Sequence, residues 1–238
     1  MPNGENGLTV ALKTIAAPHT AFEALSVAPT WGWAFLISVI LGALGTLLSV
    51  PAALHSVAAS LAHQMAINPT RALMSGVQRH QIVASTLIAV RFGWALVPLV
   101  LLITAFVQTV ILLIFNAVGR GRGNFKTLWA SVMNIAIPGF GFYLLLGGII
   151  AIIRGPGAYN SALDSFLAMP SLAWFAPHAA TATVAFLSTF NPFSIWAFAL
   201  TALAMVTVAR TTWVNAYLAS ALILVLAALV SMWGGARS

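Results

Sequence analysis

The sequence predicts an all-α integral membrane protein, a five-span helical bundle with interfacial amphipathic helices. Three observations carry that expectation. Of 238 residues, 61% are hydrophobic; only 5% are charged; and the charges fall between long apolar runs. A soluble domain holds roughly 25% charged residues. A chain this poor in charge has hydrocarbon as its natural solvent.

Residues 1–30 read as an N-terminal tail followed by an interfacial helix. Leu12, Ile15, Ala16, Phe22 and Leu25 can share one helix side, with Pro18 as a break. Glu5 and Glu23 interrupt this region, so it does not read as a cleaved signal. The first span is expected at 31–54, free of charge and opened by Trp31 and Trp33 at the level of an aromatic belt. Gly42 and Gly45 permit close helix contact there.

The longest polar connection is expected from His55 to Phe92. Asn68-Pro69-Thr70 is a helix-start signal. Leu73, Val77, Ile82, Val83 and Leu87, set among Arg and Gln, suggest a second interfacial amphipathic helix after it. The second span is expected at 93–118, anchored by Arg91 and Trp94. The run Gly119 to Lys126, GRGRGNFK, is a short basic turn broken by glycine. A third span, 127–153, contains Pro138 and four glycines that should bend or thin it.

Arg154 to Thr189 is ambiguous. RGPG marks a turn, a short helix fits 164–169, and 173–190 reads as interfacial or re-entrant because Pro177 and His178 interrupt it. Spans at 191–209 and 213–233 follow, joined by the tight turn Arg210-Thr211-Thr212, and 234–238 is a tail. Residues 31–233 thus form one five-span membrane domain.

Charge placement bears on orientation. With the start inside, one side holds Lys13, Arg120, Arg122, Lys126 and Arg210; the other holds Arg71, Arg79, Arg91, Arg154 and Arg237. The count is even. Short loops weigh more, which puts GRGRGNFK in the cytoplasm. Net charge is +7, but the cations are scattered between apolar runs, which argues against nucleic acid as partner.

Catalytic and metal chemistry find little footing. The chain has no cysteine. His55, His63 and His80 make no metal-binding pair pattern. Ser75 lies in a connection, and His178 has no evident nucleophile partner. The glycines at 119, 121 and 123 follow a membrane helix, not a strand, so a dinucleotide loop is not indicated. No cofactor, metal or catalytic residue is expected, and the chain is expected not to be an enzyme.

Two non-catalytic uses remain. Arg120, Arg122 and Lys126 either set topology or bind anionic lipid headgroups, with guanidiniums and flexible backbone N–H groups holding a phosphate. Gln108, Asn116, Asn134 and Asn215 either bond helix to helix or line a polar path. The path, through Gln108, Asn116 and Asn134, is the alternative: a channel or transporter component.

Several segments together resemble the Yip family of Ypt/Rab-interacting membrane proteins, in its short bacterial form. These are Pro18, Phe22-Glu23, Pro29 and Trp31 before the first span. Then come the glycine turn from Gly119 to Phe125 and Pro138 inside the third span. Last is Asn191-Pro192-Phe193-Ser194-Ile195-Trp196 at the start of the fourth. The resemblance runs from Pro18 to about Leu226. It implies five spans, a cytoplasmic start, a bacterial inner (plasma) membrane location, and a membrane-organising or partner-recruiting role through self-association or another membrane protein. It supplies no catalytic residue. Phe193 and Trp196, with Pro18, Phe22, Pro29 and Pro138, are its motif and packing positions. Two features depart from its pattern. Residues before Pro18 do not match the long leader of the eukaryotic members, so no GTPase contact is carried over. Ala204, Met205 and Val206 stand where a glycine is expected.

Overall fold

A computed structural model describes residues 6–67 and 76–236. It is helical throughout those residues, with no strand among them. The elements are α1 (Gly7–Ala16), α2 (Pro18–Val27), α3 (Gly32–Ile67), α4 (Gly76–Phe92), α5 (Val97–Val118), α6 (Phe125–Ala136), α7 (Tyr143–Arg154), α8 (Ala162–Phe166), α9 (Thr181–Ser188), α10 (Pro192–Thr207) and α11 (Trp213–Gly235). A 3-10 turn, Gly93–Leu96, joins α4 to α5, and a π-helical stretch, Ile137–Phe142, joins α6 to α7.

Four helical runs are long and apolar enough to cross a membrane, and α9 with α10, bent by 49°, is apolar enough together to form either a broken fifth span or a re-entrant loop. The chain is a multi-pass helical membrane protein. Helix α5 shows why. Val97, Leu101, Ala105, Thr109, Leu112 and Asn116 repeat at helical spacing and are buried. Leu99, Ile103, Phe106, Val110 and Ile114 repeat on the other side and are exposed. A stripe of that kind has no place in water; in lipid it is the contact surface.

The structure departs from the expected elements in four places. First, α3 does not stop near Leu54 but runs 36 residues, with Pro51 inside it. Proline removes one helical hydrogen bond without ending a helix that hydrocarbon otherwise enforces. Second, the expected polar connection is mostly helix. No described side chain of α4 is buried, because Val77, Leu87, Ile88 and Phe92 are spread around it and do not gather on one face. Asn68-Pro69-Thr70, Leu73 and Ser75 lie outside the described residues. Third, 173–190 is not one continuous helix. It holds a 3-10 turn, Leu172–Phe175, and then α9, which with α10 makes a bent pair of the kind a re-entrant loop or a broken span would show. Fourth, the N-terminal apolar side is not continuous. Ala17, at φ −145°, breaks the helical phase, and Pro18 restarts it at the first position of α2. Leu12 is therefore 56% exposed, while Phe22 and Leu25 are fully buried.

The chain divides into two compact units. The first comprises residues 1–42, 97–143 and 192–227. Its core is layered around α6. On one side Leu112, Leu128, Met133, Ile137 and Met205 pack with Ala34, Ala105, Ala216 and Ala219. On the other, Val10, Ala21, Phe22 and Leu25 pack against Ala130, Ile135, Leu200 and Ala204. So α1 and α2 dock on protein, with α2 touching α6 and α10. Fully burying a Phe or Leu side chain contributes about 1.5–3 kcal/mol. The π-helical stretch brings Gly141 against Leu41 and Ser38, and Gly139 against Ala197. Proline and glycine there act as expected of a widened, closely packed segment.

The second unit comprises residues 43–96, 144–191 and 228–238. Gly45 and Gly148 meet backbone to backbone: a Cβ at either would collide with the other strand of contact, at Leu144 or at the Gly45 carbonyl. That is the close approach small residues allow in lipid. Tyr159 packs with Ala52 and Ala151, under the Arg154 guanidinium 5.9 Å from its ring centre. His55 Nδ1 lies 3.0 Å from the Tyr159 carbonyl oxygen. Ser161 and Asp164 form a capping box that starts α8.

Candidate functional site

Two turns of the first unit come together at its basic end. The first closes α5. Gly121 N–H donates to the Asn116 carbonyl at 2.7 Å, and Arg120 N–H donates to the Ala117 carbonyl at 3.2 Å. This is the Schellman pattern, in which one residue just past the helix is left-handed. That residue is Arg120, at φ 51°, although glycines flank it on both sides. The second turn closes α10. Thr211 donates to the Met205 carbonyl with both its N–H, at 3.2 Å, and its hydroxyl, at 3.1 Å. Here too the left-handed residue is an arginine, Arg210, at φ 55°.

The turns are clasped. Arg122 N–H donates to the Ala209 carbonyl at 2.7 Å. The Asn116 side chain grips Gly123 twice: its Nδ2 donates to the Gly123 carbonyl at 2.9 Å, and its Oδ1 accepts the Gly123 N–H at 3.0 Å. Asn215 Nδ2 donates to the Phe115 carbonyl at 2.8 Å, tying α11 to α5. Asn124 and Thr127 then form a capping box that starts α6.

The glycines serve closeness. A Cβ on Gly121 would meet Asn116 Oδ1 and the Ala209 carbonyl; one on Gly123 would meet the Ala209 methyl at 3.0 Å; one on Gly119 would meet Asn215 Nδ2 at 2.5 Å. This corrects the expectation of a flexible loop with a backbone phosphate cradle. Every backbone N–H from Gly119 through Asn124 already donates inside the protein. Any anion here has only side chains to bind.

Those side chains are presented outward. Arg120, Arg122, Lys126 and Arg210 are all exposed, and among the described residues no carboxylate pairs with them. Glu23 lies by His19, and Asp164 caps its own helix. Exposed rings flank the cations. Phe125 stacks on Trp129 at 5.8 Å, and Trp129 meets Trp31 edge-on at 6.1 Å. Beside Arg210, Trp213 stacks on Tyr217 at 5.6 Å, and Tyr217 stacks on Phe198.

The left-handed arginines are strained. A non-glycine residue in that region costs roughly 1–2 kcal/mol. A cation at a helix C-terminus returns only about 0.3–1 kcal/mol. The hydrogen bonds that close each turn, about 0.5–1.5 kcal/mol apiece, offset the rest.

The other sequence-selected residues fall elsewhere. Asn134 is buried on α6, where its Nδ2 donates to the Thr30 carbonyl at 3.0 Å and to Ala130 at 2.7 Å, while its Oδ1 finds no protein partner. Gln108 is half-buried on α5. The three amides of the expected path are thus divided, with Asn116 and Asn134 engaged by separate backbone segments. Pro18 opens α2, Phe22 is fully buried, Pro29 is half-buried, and Pro138 is buried in the π-helical stretch. Phe193 meets Tyr143 edge-on at 6.4 Å, and Trp196 packs on the Phe22 side of the core. Arg210 was not among the sequence candidates: a lone arginine between spans reads as a topology signal, and nothing local announces its backbone angle. No family model matches the chain, and neither a curated protein nor a solved structure does.

Proposed function

We propose that this chain is a non-enzymatic membrane-organising protein of the Yip type whose clasped basic end holds anionic lipid headgroups in the cytoplasmic leaflet. The observation that carries the reading is the set of four exposed cations on two rigidly joined turns, flanked by exposed aromatic rings. Cations beside a membrane surface attract anionic lipid, and the rings suit the headgroup level. The cytoplasmic orientation follows from the same cations by the positive-inside rule, and so does a cytoplasmic N-terminus, because two candidate spans, Gly32–Ala62 and Gly76–Val118, separate it from the basic turn. The Yip resemblance, carried by sequence segments alone, supports a role in recruiting partners or a second copy. The polar-path alternative draws less support, since Asn116 and Asn134 are committed to structural hydrogen bonds.

The test is capture of the detergent-solubilised chain on vesicles at low salt. Each cation near the surface contributes about 1 kcal/mol, so Arg120→Gln, Arg122→Gln and Arg210→Gln together should weaken capture by phosphatidylglycerol up to about a hundredfold. Capture by phosphatidylcholine should be unaffected. Undiminished capture by phosphatidylglycerol removes the headgroup reading.

A further inference from the structure

In the second unit, two open-sided apolar grooves share one guanidinium. The first, of about 410 Å³, is walled by Leu47, Val50, Pro51 and Trp94. The second, of about 460 Å³, is walled by Leu54, His55, Ala58, Leu87 and Ile88. Arg91 lines both. Each falls within the roughly 300–1,000 Å³ typical of small-ligand sites.

Three properties define the occupant. Arg91 is exposed, and among the described residues no carboxylate pairs with it. A guanidinium in apolar surroundings wants an anion, and its planar fork matches phosphate. The groove walls run into exposed apolar side chains such as Leu47, Ile88 and Phe92, so an occupant would meet hydrocarbon and not water. Polar groups also border the first groove. The Trp94 indole N–H can donate, and Pro51 has no N–H to give the Leu47 carbonyl, so that oxygen can accept.

We infer that these grooves form one seam that binds a single anionic phospholipid, its phosphate on Arg91 and an acyl chain along the apolar walls. A soluble anion would meet Arg91 and His55 but would leave the aliphatic walls uncovered. A zwitterionic lipid fits less well, because its cationic group would bring a second positive charge beside the guanidinium. The site is independent of the basic turns of the first unit, and its partner is an individual lipid, not a charged surface.

The experiment is native mass spectrometry of the full chain in detergent, carrying Arg120→Gln, Arg122→Gln and Arg210→Gln to silence the basic end. Titrants are dioleoyl phosphatidylglycerol, the matching phosphatidylcholine and glycerol phosphate. One phosphatidylglycerol should bind tightly, with the other two weaker. Losing a charge-assisted phosphate contact should make Arg91→Gln bind about tenfold or more weakly, while Arg91→Lys, which keeps the charge and loses the fork, should bind between the two. Ala58→Trp, which fills the second groove and leaves the charge, should also weaken binding. Binding by Arg91→Gln equal to its parent, or phosphatidylcholine bound as tightly as phosphatidylglycerol, overturns the site. Equal binding by Ala58→Trp or by glycerol phosphate overturns the seating of an acyl chain in the grooves.

Discussion

Gly121→Ala tests the clasp with a single methyl group. The backbone of Gly121 is not left-handed, so alanine meets no conformational penalty, and any effect comes from crowding. The new Cβ would lie 2.7 Å from the Ala209 carbonyl oxygen and 2.7 Å from the Thr211 methyl, with Asn116 Oδ1 nearer still. Restoring ordinary contact of 3.4 Å means moving the oxygen by about 0.7 Å. That oxygen accepts Arg122 N–H at 2.7 Å, so the bond would lengthen past its useful range. One backbone hydrogen bond contributes about 0.5–1.5 kcal/mol, and displacing the buried Asn116 amide costs about 1–3 kcal/mol more. The sum is roughly 2–4 kcal/mol, a fall in melting temperature of about 4–16 °C for a chain of this size. The assay is thermal unfolding in detergent. Gly147→Ala is the matched control: no atom lies within 4 Å of its Cβ position, so it should gain about 0.4–1 kcal/mol from a less flexible unfolded chain. A Gly121→Ala protein melting within about 2 °C of wild type would refute the clasp as a source of rigidity.

Three further outcomes are expected. Asn134→Ala removes the donor to the Thr30 carbonyl and leaves that segment unpaired, so thermal unfolding should show a loss of roughly 1–3 kcal/mol; an unchanged melt contradicts the account of Asn134 as a tie. Gln108→Leu, at a half-buried position with no engaged backbone segment, should change stability by less than about 0.5 kcal/mol and leave any self-association intact, as read by crosslinking. Arg122→Cys gives a single thiol in a chain without cysteine, and a membrane-impermeant maleimide should label it in inside-out vesicles and not in intact cells; labelling in intact cells reverses the orientation.

The membrane class and most of the spans were legible because they rest on one strong term, the transfer of long apolar runs out of water, and that term is read residue by residue. Where an element depended on a weaker term, the sequence misled. The polar residues from His55 onward suggest an end to the first span, yet α3 runs on to Ile67, and the one hydrogen bond lost at Pro51, worth about 1 kcal/mol net, does not stop it. Asn191-Pro192 reads as the start of a span, and it is the start of α10, but the apolar helix α9 stands just before it, bent by 49° from α10.

The basic turn shows the limit most clearly. Glycine offers two things, access to left-handed backbone and the absence of a Cβ, and a string such as Gly-Arg-Gly-Arg-Gly does not say which is in use. Local reasoning assigns the left-handed position to a glycine and the free N–H groups to a ligand. The structure reverses both: an arginine takes the left-handed angle, and the glycines stay in ordinary conformations because Ala209, Thr211 and Asn215, some ninety residues away, press against them. The same contacts consume the N–H groups. What remains for the proposed headgroup contact is the other half of the sequence reading, the arginine side chains themselves, held outward on two turns that share one hydrogen-bonded seam. Arg210 belongs to that set through the Arg122–Ala209 bond alone, a pairing no local motif encodes.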